Sequence, residues 1–149
     1  MYANRRAFTL IELLAVMIIL AILAGVAIPK FIDYQVEAKE ASCKGTLGGV
    51  RAGIANWYAN EAIENGSAIY PDITELTAIN EVMQEAIPDN PYGGDPDPGA
   101  VVVQGTFLDA QNGDLVGAVG LGGWAYYEGV GGNPSVFYAN SNSVGENTF

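Results

Sequence analysis

The sequence contains no histidine and one cysteine, Cys43, and no lysine or arginine follows Arg51. Without histidine, Ser-His-Asp and Cys-His nucleophilic machinery cannot be assembled and the usual zinc ligand sets are out of reach. Paired carboxylates remain, so an enzyme is disfavoured rather than eliminated. A single cysteine rules out an intramolecular disulfide. The missing cations also leave an acidic remainder. Six basic and four acidic residues occur up to Arg51, the other thirteen acids follow it, and the net charge is −11. Such a body repels a nucleic acid backbone and an anionic membrane surface, and it draws cations.

One long apolar run is present. From Phe8 to Ile28 only Thr9 and Glu12 are polar, and Arg5 and Arg6 stand just before it. Twenty-one residues at about 1.5 Å each span roughly 30 Å, the hydrocarbon thickness of a bilayer, whereas a secretory signal has an apolar region of about 7–15 residues. No small-residue cleavage site follows; Pro29, Lys30 and a polar helical pattern do. The run therefore reads as a retained membrane helix, with its amino terminus in the cytoplasm by the positive-inside rule and everything after Ile28 outside. A carboxylate within it costs about 3 kcal/mol to insert, which marks Glu12 as a functional candidate.

The 149 residues suit one domain, with about 120 left after the membrane helix for a modest core. Ile32, Val36, Cys43, Leu47, Val50, Ile54 and Trp57 keep to one helix face, so a helix is predicted from Phe31 to about Asn60, with Cys43 a small buried apolar residue. Pro29 cannot donate to the carbonyl of Gly25, so the helix is expected to kink or melt between those residues. Gly45, Gly48, Gly49 and Gly53 form a second soft region suited to close packing. A turn is expected at Asn65-Gly66, a short helix from Asp72 or Thr74 to Glu85, and a Pro-rich loop from Pro88 to Gly99. Two strands are expected around an Asn112-Gly113 hairpin, and two more in "GGWAYYEGVGGNPSVFYAN". The fold class is α+β: a long amino-terminal helix packed against a small antiparallel sheet.

The stretch "RRAFTLIELLAVMIILAILAGVAIPKF" resembles the amino terminus of type IV pilins and type II secretion pseudopilins, and "AIYPDITEL", "IPDNPYGG" and "GGWAYY…GNPSVFYAN" resemble their heads more loosely. The resemblance implies a leader over 1–7, a filament-core helix over 8–30 and a pilin-like head over 31–149. It implies cleavage between Ala7 and Phe8, where the family has glycine in place of Ala7, and methylation of the new amine. Glu12 would then face the Phe8 amine of a neighbouring subunit, with Phe8, Glu12, Gly25 and Pro29 forming the assembly segment. The implied partners are further copies of the chain, a prepilin peptidase, an inner-membrane platform protein and an assembly ATPase. The implied route runs from the inner membrane to an extracellular pilus or a periplasmic pseudopilus. The pilin pattern often has a carboxy-terminal disulfide loop, which this chain cannot make, and the final motif of the pseudopilin calcium loop is not evident; the pilin is the favoured reading.

A reading from another class is a membrane-anchored calcium-binding module. Asp89, Asp95 and Asp97 share one loop, Asp109 and Asp114 flank the Asn112-Gly113 turn, and calcium takes about six to eight oxygen ligands. The spacing is not that of an EF-hand, and solvated acidic turns are the bland alternative. The filament reading requires no cofactor and leaves calcium as an optional loop ligand.

Overall fold

The computed structural model describes residues 8–92, 102–112, 114, 116 and 123–140. In chain order the elements are α1 (Leu10–Glu64), α2 (Ile73–Thr77), β1 (Val102–Gln104), α3 (Phe107–Asn112), β2 (Trp124–Tyr127) and β3 (Val136–Ala139), with a 3-10 turn at Val130–Gly132. The chain divides after Ala38 into an amino-terminal unit and a body.

The amino-terminal unit holds the first half of α1. Its large apolar side chains, from Leu10 to Val36, are all more than half exposed. The helix continues through Gly25 and Pro29 without interruption, so the expected kink does not break it. The proline removes one hydrogen bond from a ladder that is intact on either side, and in the exposed segment no competing partner draws the backbone away.

In the body, α1 buries Cys43, Leu47, Val50 and Ile54, spaced by four, three and four residues on one face. They form one core with Leu76, Ile87, Trp124, Tyr126, Phe137 and Ala139. Trp124 and Phe137 stack at 5.5 Å between ring centroids. Gly53 is the one α1 glycine of the body with a close neighbour, since a Cβ there would lie 2.7 Å from Met83 Sδ. The helix ends four residues later than expected, and Gly66, at φ 69°, turns the chain beyond it.

The sheet has the order β1-β2-β3, with β2 and β3 antiparallel (Trp124 opposite Ala139, Tyr127 opposite Val136) as the sequence predicts. The expectation of an all-antiparallel sheet is corrected, because β1 runs parallel to β2, with Val102 opposite Trp124. The hairpin at Asn112-Gly113 is corrected with it. The residues after β1 form α3, whose first turn is closed by Thr106 and Asp109, and parallel strands need such a crossover. Of the second run expected there, Val116 is described; its N–H donates to Asn140 Oδ1 at 2.9 Å, and its carbonyl accepts from Asn140 Nδ2 at 2.9 Å. The short helix also ends earlier than expected, at Thr77, because Asn80 adopts φ 68° and donates its N–H to the Met83 carbonyl.

Polar clamps tie the loops to the sheet. Tyr126 donates its hydroxyl to the Pro71 carbonyl (2.7 Å), Trp124 donates Nε1–H to the Pro88 carbonyl (2.8 Å), and buried Asn90 donates to the Gly123 carbonyl (2.6 Å). Arg51, the last cation of the chain, donates through Nε and one terminal nitrogen to the Phe137 carbonyl (3.0 and 2.9 Å), so α1 satisfies a carbonyl of β3. Gly129, at φ 81° in the β2–β3 loop, lies where a Cβ would meet Tyr70 and the Ser135 backbone below 3 Å.

Trp124, Tyr126, Phe137 and Ala139 face the α1 core, while Tyr138 reaches the other way, its hydroxyl 3.4 Å from the Asp114 carbonyl. Burial, reinforced by Asp109 and Asp114, pushes the Tyr138 phenol up to about 12. The unfolded chain ionises first, from about pH 10, so the contribution of this burial is intact below that pH and is lost as pH rises towards 12. Tyr138→Phe is expected to flatten the alkaline fall of the thermal midpoint of the detergent-solubilised chain. An unchanged alkaline slope would mean that the phenol is solvated.

Candidate assembly site

Helix α1 begins with Thr9 as its N-cap. Glu12 Oε2 accepts hydrogen bonds from the Thr9 N–H (2.8 Å) and hydroxyl (2.9 Å), while Thr9 Oγ1 accepts from the Glu12 N–H (3.3 Å). This is a capping box, formed by the T-L-I-E spacing of residues 9–12. It satisfies helix-terminal donors that apolar surroundings would leave unpaired, and it sets the carboxylate against the positive end of the helix dipole. Asp72 with Glu75 and Thr106 with Asp109 close the starts of α2 and α3 in the same way.

Phe8 is 89% exposed and, with Glu12, Leu13, Ala15 and Val16, lines an open apolar hollow. Glu12 is thus a charged group, locally hydrogen-bonded, on an otherwise apolar exposed surface. Thr9 is the residue that the sequence reading missed. Its signal is the threonine three residues before the glutamate, the spacing of a capping box.

The other sequence candidates are not drawn together. Gly25 and Pro29 lie inside α1, with open space around Gly25. Ala7, Asp95 and Asp97 lie outside the described residues. Asp89 is exposed, Asp114 accepts from Asn112 Nδ2 at 3.3 Å, and Asp109 caps α3, where the Thr106 hydroxyl and then its amide hold its carboxyl below the usual range. Among the described residues, no three histidine, cysteine or acidic side chains gather as a metal-holding group.

The family described as "Prokaryotic N-terminal methylation motif" matches residues 2–28. The chain is similar to the type IV major pilin protein PilA of Myxococcus xanthus, with 50% identity over 44 residues, covering 30% of this chain and 20% of that one. It is 40% identical over 50 residues to the type IV narrow pilus major component PilA5 of Thermus thermophilus, covering 34% of this chain and 43% of that one. Against the fimbrial protein EcpC of Eikenella corrodens it is 27% identical over 85 residues, 55% of this chain and 56% of that one. The chain thus spans less than two thirds of each of these relatives. No solved structure matches it significantly. Over residues 2–28 the chain carries a prokaryotic N-terminal methylation motif, and over part of its length it is similar to type IV pilins.

Thr9→Val removes the N-cap acceptor and one donor to Glu12 while leaving the helix apolar. Loss of a cap costs about 1 kcal/mol, so hydrogen exchange at the first-turn amides in detergent should quicken about fivefold. Thr9→Ser should exchange like the native chain. Equal exchange in the valine and native chains would show that the box does not hold the turn.

Proposed function

We propose that the chain is a structural, non-enzymatic subunit of a type IV pilus-like filament. The observation that carries this reading is the first half of α1: an apolar helix, exposed along its whole length, that starts at an acidic side chain. Before assembly the lipid bilayer is its solvent; in the filament, the same segments of other copies are. The pilin and fimbrial relatives support a pilus, and a periplasmic pseudopilus of a type II secretion system is the alternative.

In this reading a membrane peptidase cuts between Ala7 and Phe8 and the new α-amine is methylated. An α-amine has an ordinary pKa near 8, so Phe8 brings a cation into an apolar core. Glu12 of a neighbouring subunit is the counter-charge. In the membrane the Thr9 box gives the carboxylate two hydrogen bonds; in the filament the amine is added. A buried pair tolerates few alternative positions, so it selects axial register more than it adds stability. An inner-membrane platform and an assembly ATPase drive extension, and the acidic body forms the outer surface.

Intact-mass measurement on filaments from native cells should give a chain that begins at Phe8 and carries one added methyl group. A chain still beginning at Met1 would remove the amine from the assembly contact.

Glu12→Ala should leave subunit in the membrane fraction undiminished, since an insertion cost of about 3 kcal/mol disappears. Filament yield should collapse, because removing one side of a buried pair costs about 3–5 kcal/mol at every subunit. Glu12→Gln should be nearly as poor. Normal filaments from Glu12→Ala, compared by immunoblot of sheared and membrane fractions, would show that Glu12 is not the assembly contact.

A further inference from the structure

The body carries a groove between Tyr58 near the end of α1, the start of α2 and the β2–β3 loop. It encloses about 700 Å³ beside the stacked rings of Tyr58 and Tyr70, whose centroids are 4.4 Å apart, and the loop from Glu128 to Pro134. Asp72, Glu75 and Glu128 line it, and no lysine or arginine does. Asp72 and Glu75 each accept one backbone N–H of the α2 capping box, and Glu128 accepts from Ile73 at 3.4 Å. A carboxylate offers about four acceptor positions, so each keeps capacity for a further donor. Aromatic faces beside carboxylates hold an organic ammonium group through cation–π attraction together with charge-assisted hydrogen bonds.

The cations of the chain are few and all precede the groove. Lys44 is paired with Glu40, and Arg51 is bonded to β3. Lys39 stands exposed on α1 and makes no ion pair among the described residues. It cannot reach the groove of its own chain: nineteen helical residues separate it from Tyr58, about 28 Å at about 1.5 Å per residue.

We propose that the groove receives Lys39 of a second copy of this chain, shifted along the helix by about that distance. The inference rests on the filament reading and names one of its contacts. Charge selects the occupant. Past Arg51 the body carries acids alone and repels its own kind, so a second copy can approach the groove favourably only with the lysine-bearing part of α1. An axial shift of this kind repeats without closing, as a helical array requires and a two-fold dimer does not.

Carbodiimide treatment of intact filaments, followed by peptide mass spectrometry, reads the contact directly, since it joins a lysine amine to a carboxylate in contact with it. An inter-subunit link between Lys39 and Glu128, Glu75 or Asp72 is expected in filaments and not in detergent-dispersed monomer. Lys39→Glu and Glu128→Lys should each lower filament yield by at least about tenfold with membrane-fraction subunit unchanged, and the double variant should restore most of it. Glu128→Gln should show a smaller loss, and thermal midpoints of the variants in detergent identify any that fail to fold. Links from the groove to Lys30 or Lys44, or normal filaments from both charge reversals, overturn the assignment while leaving the filament reading intact. A native chain that forms no filaments overturns both.

Discussion

The structure depends on the apolar surface that the first half of α1 exposes. Along the first half of α1 the large side chains are exposed on all sides, and among the described residues no other element belongs to that unit. A helix apolar all round is stable only where its surroundings are apolar too. That requirement is met by a bilayer and, in the proposed filament, by other copies of the helix. Glu12 acquires its meaning from it. In water a carboxylate at a helix start is ordinary; in apolar surroundings its two local donors from Thr9 are what make it tolerable.

Much of the fold was legible because it is written in local periodicities. The stripe from Cys43 to Ile54 is a helical repeat, and the core uses it as such. The β2–β3 hairpin follows from aromatic runs either side of a glycine-rich loop, where Gly129 meets both the φ and the space requirement. What failed was decided by tertiary context or by a competing local signal. Asn112-Gly113 is a strong hairpin dipeptide, yet Thr106 and Asp109 start a helix that runs into it, and the crossover then allows β1 to join β2 in parallel. No periodicity in a three-residue strand states its direction. At Pro29 the helix does not melt, because one missing hydrogen bond sits in a ladder that continues on either side of it.

The assembly site was half legible. Glu12 stood out by its cost, but Thr9 did not, although the same spacing of cap and acid recurs at Asp72–Glu75 and Thr106–Asp109. An apolar cost argument asks where a charge finds its partner, and it looks outward; the capping rule looks three residues back. At Glu12 the structure shows the second. Among the acidic candidates, Asp109 is already engaged by a backbone amide and a hydroxyl, which a count of carboxylates along the sequence does not show.

The separation of charge along the chain ties these parts together. All cations lie between Arg5 and Arg51, and beyond them the sequence adds acids alone. Arg5 and Arg6 precede the apolar helix in sequence; Arg51 turns inward and donates to the Phe137 carbonyl. The cations left between them on α1 are therefore available to other molecules rather than to the fold, apart from Lys44 with its own Glu40. Solvent-exposed ion pairs contribute little to stability, so their distribution is a poor explanation of why the body folds. It is a better explanation of orientation between copies. Bodies of like charge repel unless a basic helix segment of one lies against an acidic surface of another, and that condition excludes most ways of stacking identical subunits. In the proposed filament, apolar burial would supply the attraction between copies, which is non-directional, while charge would decide which of the many apolar contacts is kept.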